Sequence, residues 1–348
     1  MDYINKINTD LKPYIDSKLN KTVVDLFAGC GGLSLGFESN GFKTIGYEMD
    51  ENASNTYNKN LRGKCFPEKL SLDSEYPDAD ILIGGPPCQP FSVGGNQLGL
   101  KDSRDGFPIF IDAVKKIQPE VLLFENVRGM LYKNKWYLVE VLEELERLGY
   151  KLNYALLNAK NYDVPQNRER VIVIGSKEKI SLPLKQDYLV TAGEALGKLA
   201  FEEDETSKYL TPSMDKYIAK YEKASSCINP RDLHLDRPAR TLTCRNLAGS
   251  TGDMHRVRLP NGKRRRITVR EAARLQSFPD WFEFTGKETS QYNQIGNAVA
   301  PYFAFHIAKT IKDYLTGENH NYRHISENRQ YTLFENETIY QSRQVSNL

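Results

Sequence analysis

The chain has 348 residues, 40% of them hydrophobic, enough to bury a sizeable core shared between one large α/β domain and a smaller one. A formal net charge of +2 points to no partner by itself, and five scattered cysteines without a C-x-x-C pair argue against a zinc site or a disulfide framework and fit a reducing compartment. The polar start MDYINKINTDLKPYIDSK has no apolar signal core, and no apolar run nears the roughly 20 residues that span a bilayer, so a cytoplasmic, soluble protein is expected.

Residues 1–20 read as a short arm or leader helix. From 21 to 176 apolar strand-like runs alternate with helical stretches, as expected of a catalytic and cofactor-binding domain. KTVVDLF reads as a buried strand, LSLGFESNG as a helix ended by Gly41, and FKTIGYE as a second strand. DADILIGG, PEVLLFEN and RERVIVIGS are further apolar runs, and KWYLVEVLEELERLG has helical spacing and stops at Gly149. Such alternation predicts a mixed, mostly parallel, Rossmann-like sheet covered by helices, with ligands beyond the carboxyl ends of its strands. Residues 177–280 lose this periodicity, carry several prolines and read as a smaller domain. Within them only TVREAARLQSF has a helical pattern. Residues 281–316 bring a C-terminal helix back to the first domain. Residues 317–348 form a polar tail without apolar periodicity, of the kind that stays disordered.

Four constellations carry chemistry. In DLFAGCGGLSLGF a strand runs into glycines and then a helix, so a ligand can approach the backbone and a helix N-terminus can receive an anion. Nineteen residues after Gly29, Glu48 ends the next strand, where an acid can bind both ribose hydroxyls. The third glycine of a dinucleotide fingerprint is replaced by Ser34, which favours a nucleoside without pyrophosphate, such as S-adenosylmethionine. In ILIGGPPCQPFSVGG an apolar strand ends in glycines, stiffening prolines and Cys88, an unusual place for an inert core thiol. In LLFENVRGM, Glu125 ends a strand, where partial desolvation raises a carboxyl pKa and suits proton donation. In VPQNRERVIVIG, Arg168 and Arg170 are two apart and are expected to share one face as an anion or carbonyl clamp.

In this order, the stretches DLFAGCGG (25–32), GYEMD (46–50), GGPPCQPFS (84–92), ENVRGM (125–130), QNRERV (166–171), RRRITVREAARLQSFPD (264–280) and QIGNAVAP (294–301) closely resemble the DNA (cytosine-5) methyltransferase family. The resemblance covers residues 21–315 and implies a small target-recognition domain facing the catalytic one across a cleft for double-stranded DNA. It further implies S-adenosylmethionine as cofactor, lined by Phe27, Ala28, Gly29, Gly31, Gly32 and Pro87, with Glu48 on the ribose and Met49 against the adenine. Asn297, Ala298 and Val299 return to that cofactor, and either Glu68 or Asp73 meets the adenine edge. Cys88 is the implied nucleophile toward cytosine C6 and Glu125 the donor to N3. Arg168 is expected on the O2 carbonyl, and Arg170 is expected to organise Cys88 and Glu125. The loop 92–104 closes over a flipped base, with Ser92 in it and Arg104 on a phosphate.

Target reading is expected within 177–263, chiefly in RPARTLTCRNLAGSTGDMHRV (237–257). Arg245 and Asn246 are the candidate base contacts, because arginine suits guanine O6 and N7, and asparagine suits adenine N6 and N7. Arg237, Arg240 and His255 lie in the same stretch, and Thr241 with the run Lys263 to Arg266 is expected on phosphates. The tRNA-modifying branch of the family usually has threonine where this chain has Ser92, and a silent binding module would lack Cys88 or Glu125. A monomeric bacterial or phage modification enzyme, paired with a separate restriction endonuclease, is the setting this architecture implies.

Overall fold

The computed structural model describes residues 2–87, 105–132, 134–203, 207–224, 232–249 and 252–318. Cys88, Ser92 and Arg104, the rest of the loop 88–104, and nearly all of the tail 317–348 lie outside the described residues.

Strands β1 (Thr22–Leu26), β2 (Lys43–Tyr47), β3 (Lys64–Phe66), β4 (Ile81–Gly84) and β5 (Val121–Val127) are parallel. Strands β6 (Lys151–Asn158) and β8 (Glu169–Ser176) complete the sheet antiparallel, in the order β3-β2-β1-β4-β5-β8-β6. The central strands read as nearly unbroken apolar runs because helices cover both of their faces. On one side lie α2 (Gly32–Glu38) and α10 (Pro301–Leu315), on the other α4 (Phe107–Ile117) and α5 (Lys135–Arg147). Gly36 is the contact that lets α2 and α10 approach: a Cβ there would meet Ala304 at 2.4–2.5 Å. The chain leaves β1 toward β2 and β3, then crosses back to β4, so the strand order reverses between β1 and β4. A crevice opens beyond the carboxyl ends at such a switch point.

The remaining helix on the β2–β3 side is α3 (Glu51–Asn60), and the N-terminal residues form α1 (Tyr3–Asp10), whose Ile7 is fully buried. The arm is docked: Asn8 accepts from Asp280 N at 2.7 Å and from Trp281 Nε1 at 3.2 Å.

Residues 177–280 are more ordered than their composition predicts. They hold α6 (Ala192–Leu196), α7 (Pro212–Ala224), the short strand β9 (Ala239–Arg240), the hairpin β10 (Arg256–Arg258) and β11 (Arg264–Arg266), and α8 (Val269–Leu275). β9 pairs with β7 (Gln166–Asn167), placing Gln166 opposite Ala239. Leu196, Leu242, Val257 and Ala272 share one apolar cluster with Leu33 of α2 and Ile307 of α10. The stretch 281–316 holds two helices, not the single one expected, because α9 (Glu288–Asn297) precedes α10. Among the described residues no helix is long and apolar enough to cross a membrane.

Candidate active site

At the β1–β4 switch point lies a cleft of about 1710 Å³. Its floor is the loop after β1. Phe27 there has φ 60°, a backbone conformation that side chains other than glycine rarely adopt and that surrounding structure must impose. Gly29, at φ 56°, faces open space where any Cβ would stand. Its N–H donates to Glu48 Oε2 at 2.9 Å, while Asp50 N–H donates to Glu48 Oε1 at 2.8 Å. Two backbone donors therefore fix the Glu48 carboxylate at the end of β2 and leave its remaining lone pairs for a ligand. Beside it Met49 is 71% exposed in the cleft wall.

Phe27, Ala28, Gly29, Glu48, Met49, Pro87, Asn297, Ala298 and Val299 all line this cleft. Gly31 and Gly32 do not, which corrects their expected role. Their missing side chains make room for the protein: a Cβ on Gly31 would lie 2.8 Å from the Tyr57 ring, and one on Gly32 2.3 Å from the Val299 carbonyl. Of the two acids left open for the adenine edge, Glu68 lines the cleft, whereas Asp73 is exposed and does not.

The opposite end of the cleft holds the acid. Glu125 pairs across the sheet with Ile172, so Arg170, two residues earlier on the antiparallel strand, is its diagonal neighbour on the same face. Arg170 Nε lies 2.6 Å from Glu125 Oε1. The neighbouring Asn126 Nδ2 donates to the Pro86 carbonyl at 2.9 Å, tying β5 to the stiff turn that leads toward Cys88. Glu125 is thus a paired and positioned carboxylate, not one isolated among apolar groups.

Arg168 departs from the expected carbonyl clamp. It is 2% exposed, and its guanidinium donates to the carbonyls of Leu242 (2.8 Å), Gly296 (3.2 Å) and Ala298 (2.9 Å). It lines no part of the cleft, so its fork is turned to the protein backbone. Burial, and then the Arg170 cation, push it down to about 9. Residues whose importance the sequence did not reveal surround it. Gln166 accepts from Leu242 N at 2.9 Å and bonds Gln276, which donates to the Ala298 carbonyl at 2.7 Å. The available signal was a glutamine on the buried side of an amphipathic helix, where an amide must find partners.

Asp25 was also missed. It lines the cleft, is 1% exposed, and accepts from Ser34 Oγ at 2.6 Å. Burial raises its carboxyl to about 7, despite the Ser34 hydrogen bond. Gln294, which also lines the cleft, has its Oε1 buried as an acceptor with no hydrogen-bond partner among the described residues. Buried acceptors normally have partners, so the cleft fits a ligand that brings donors or positive charge. A nucleoside sulfonium such as S-adenosylmethionine has both.

The recognition stretch is corrected in several places. Asn246 is 4% exposed, with Oδ1 accepting from Thr243 N (2.8 Å) and Nδ2 donating to Thr241 O (2.9 Å), so its amide closes a local turn. His255 is buried, which pushes it down to about 3 and leaves it neutral. Arg240 is paired with Asp253 at 3.0 Å, and Thr241 Oγ1 donates to Asn167 O at 2.6 Å. The basic run is largely internal. Arg256 meets Asp232 (2.5 Å) and Glu222 (2.7 Å), Arg264 donates to Asp215 (2.9 Å), and Arg265 is bidentate to Glu271 (2.7 and 2.8 Å). Except for Glu271, these acids come from distant positions in the chain, so the basic run itself does not show them. Arg237 and Arg245 remain exposed.

A mostly parallel sheet with a deep cleft beyond its strand ends at the switch point is an architecture that α/β methyltransferases share. The chain belongs to the C-5 cytosine-specific DNA methylase family, whose model matches residues 21–313, and is a DNA (cytosine-5) methyltransferase. It is 53% identical over 322 residues to the Type II methyltransferase M.AplI of Arthrospira platensis, covering 92% of this chain and 93% of that protein. It is 33% identical over 352 residues to the Type II methyltransferase M.FnuDI of Fusobacterium nucleatum, covering 90% and 99%. The crystal structure of S. pombe Dnmt2 methyltransferase superposes with TM-score 0.65 over 86% of this chain and 100% of that one. At 18% identity it speaks for the fold alone.

Proposed function

We propose that this enzyme methylates C5 of a cytosine flipped out of double-stranded DNA, through a covalent Cys88 adduct, as the modification half of a bacterial or phage restriction-modification system. A separate endonuclease sharing the site, action as a monomer and a cytoplasmic location belong to the same reading. The observation that carries it is that Glu125, ion-paired to Arg170, lines the same cleft as Glu48, while the adjoining Asn126 is hydrogen-bonded to the Pro86 turn that precedes Cys88.

Cytosine C5 is a poor nucleophile while the ring is aromatic. Addition of the Cys88 thiolate to C6 removes that aromaticity and gives C5 enamine character. Glu125 donates a proton to N3 and limits the negative charge that builds in the ring. Arg170 holds the Glu125 carboxyl in place, and Asn126 holds the Pro86 turn that presents Cys88. The cofactor supplies a methyl group on a positively charged sulfur. Loss of the C5 proton to solvent, return of the N3 proton to Glu125 and departure of Cys88 as a thiolate then restore the aromatic base. In a duplex the C6 face is stacked, so the base must leave the helix at a cost of a few kcal/mol. Closure of the loop 92–104, with Ser92 and Arg104 facing the DNA, offsets that cost. Arg245 and Arg237 are the exposed cations of the recognition stretch offered to bases or phosphates.

Bisulfite sequencing of plasmid DNA from cells expressing the chain tests the activity and locates the site. A duplex with 5-fluorocytosine at that site traps the wild-type enzyme covalently, because fluorine cannot leave as the proton does. Cys88→Ala protein that still formed the adduct would disprove the nucleophile.

A further inference from the structure

We infer that Arg168 is a positioning residue that couples target recognition to cofactor affinity, by clamping the recognition segment and the cofactor wall to each other. The inference rests on the proposed reading that the cleft takes S-adenosylmethionine and that residues 237–257 meet DNA.

Gly296 and Ala298 stand at the C-terminal end of α9, where the last carbonyls of a helix lack intrahelical partners and carry partial negative charge. Arg168 donates to both, at 3.2 and 2.9 Å. Asn297, between them, lines the cleft, as do Ala298 and Val299. The other amino group of the same guanidinium donates to Leu242 O at 2.8 Å, inside the recognition stretch. Leu242 N in turn donates to Gln166, and Thr241 Oγ1 donates to Asn167 O, so side chains of this segment and of residues 166–168 add three ties to the β7–β9 strand pairing. Three residues beyond Leu242 is the exposed Arg245.

A planar guanidinium suits this task because its two terminal amino groups point to separate acceptors in a fixed plane. A lysine ammonium, though charged, is a compact point that cannot span them in the same way. The buried cation is stabilised only while all three carbonyls stay in place, since a buried charge that loses its partners is costly. DNA that restrains residues 241–245 therefore also restrains the Gly296 and Ala298 carbonyls. The backbone around Asn297 is then ordered before the cofactor arrives, and the cofactor gains affinity because less ordering remains to be done. Linkage requires the reverse as well: bound cofactor tightens the cognate duplex by the same factor.

The experiment measures the affinity of S-adenosylhomocysteine by calorimetry, with and without a saturating duplex carrying the site mapped by bisulfite sequencing. For the wild type the duplex is expected to tighten binding at least about 5-fold, the low end of ordinary coupling. In Arg168→Lys that factor falls below about 2-fold, while affinity without DNA changes less than about 3-fold. Thr241→Val, a half-buried isosteric change that removes only the tie to Asn167, lowers the factor in the same direction and carries the test if the lysine variant does not fold. An undiminished factor in the variants overturns the inference. So does equal loss of affinity with and without DNA, the mark of a merely structural arginine. Wild-type protein that methylates DNA yet shows no coupling overturns this inference alone. Wild-type protein that binds no S-adenosylhomocysteine overturns the proposed cofactor reading and the coupling with it.

Discussion

Arg170 Nε and Glu125 Oε1 are 2.6 Å apart although their residues lie 45 positions apart in the chain, because strands β5 and β8 run antiparallel in a register that sets them diagonally on one face. The pair is mostly buried, at 13% and 12% side-chain exposure, so each partner depends on the other. Glu125→Gln keeps the shape but cannot supply the same proton. Turnover at saturating DNA and cofactor is expected to fall about 100- to 10,000-fold with DNA affinity little changed. A single-turnover methylation assay with tritiated cofactor measures it, and an unchanged rate would make Glu125 structural.

Glu48 links the floor of the cleft to the β2 end through Gly29 N–H and Asp50 N–H. Glu48→Ala is expected to weaken cofactor binding by about 1.5–3 kcal/mol, the scale of hydrogen bonds to a charged group. Titration calorimetry with S-adenosylhomocysteine reads the change directly. Equal affinities for mutant and wild type would move the ribose contact elsewhere.

Two arginines eleven residues apart should behave oppositely. Arg245 is exposed at the start of a short π-helix (Arg245–Gly249), and Arg245→Ala is expected to cost about 1–3 kcal/mol on the cognate duplex and relax discrimination at one base position, with the melting temperature unchanged. Arg256 is fully buried between Asp232 and Glu222, and Arg256→Ala is expected to destabilise the fold by about 3 kcal/mol, since both acids lose a buried partner while Asp232 keeps Arg258 and Arg264. Methylation of near-cognate duplexes together with thermal denaturation separates the two. Uniform loss across all duplexes for Arg245→Ala would mark a phosphate contact.

Asp25 gives a pH signature. Burial raises its carboxyl from 3.8 to about 7, so the folded protein holds a proton that the unfolded chain releases near pH 4. The associated stability is fully present below about pH 4 and is lost as pH rises toward and through 7, at up to about 1.4 kcal/mol per pH unit. Asp25→Asn, which still accepts from Ser34 Oγ, is expected to flatten that part of the profile and to exceed the wild type in stability above pH 7. Urea titrations at pH 5 and pH 8 test it. A mutant equally shifted at both values would show that the carboxyl does not titrate in this range.

The sequence by itself determined the family, the order of the elements around the cleft and the residue types of the cofactor floor. The reason is local: a buried parallel strand must be apolar on both faces, and a strand-to-helix turn that receives a ligand needs glycine where the backbone turns left-handed. Gly29 was legible on those grounds and Glu48 from its place at the end of the next strand, whereas the left-handed backbone of Phe27 was not. The helices α3, α7 and α9 and the strand β6 were not legible, because their patterns are mixed and tertiary packing decides them, whereas Phe107, Phe110, Ile111 and Val114 of α4 stand at helical spacing and were there to be read. Most of all, the roles of charged and amide side chains were undecided until the fold was known. Arg168 and Arg170 look equivalent in QNRERV, yet one meets a carboxylate through strand register and the other meets backbone carbonyls brought from 74 and 130 residues away. Arg256, Arg264 and Asn246 look like nucleic-acid contacts until distant acids and neighbouring backbone groups satisfy them. A charge's function depends on which groups surround it in space, and only the tertiary structure sets that.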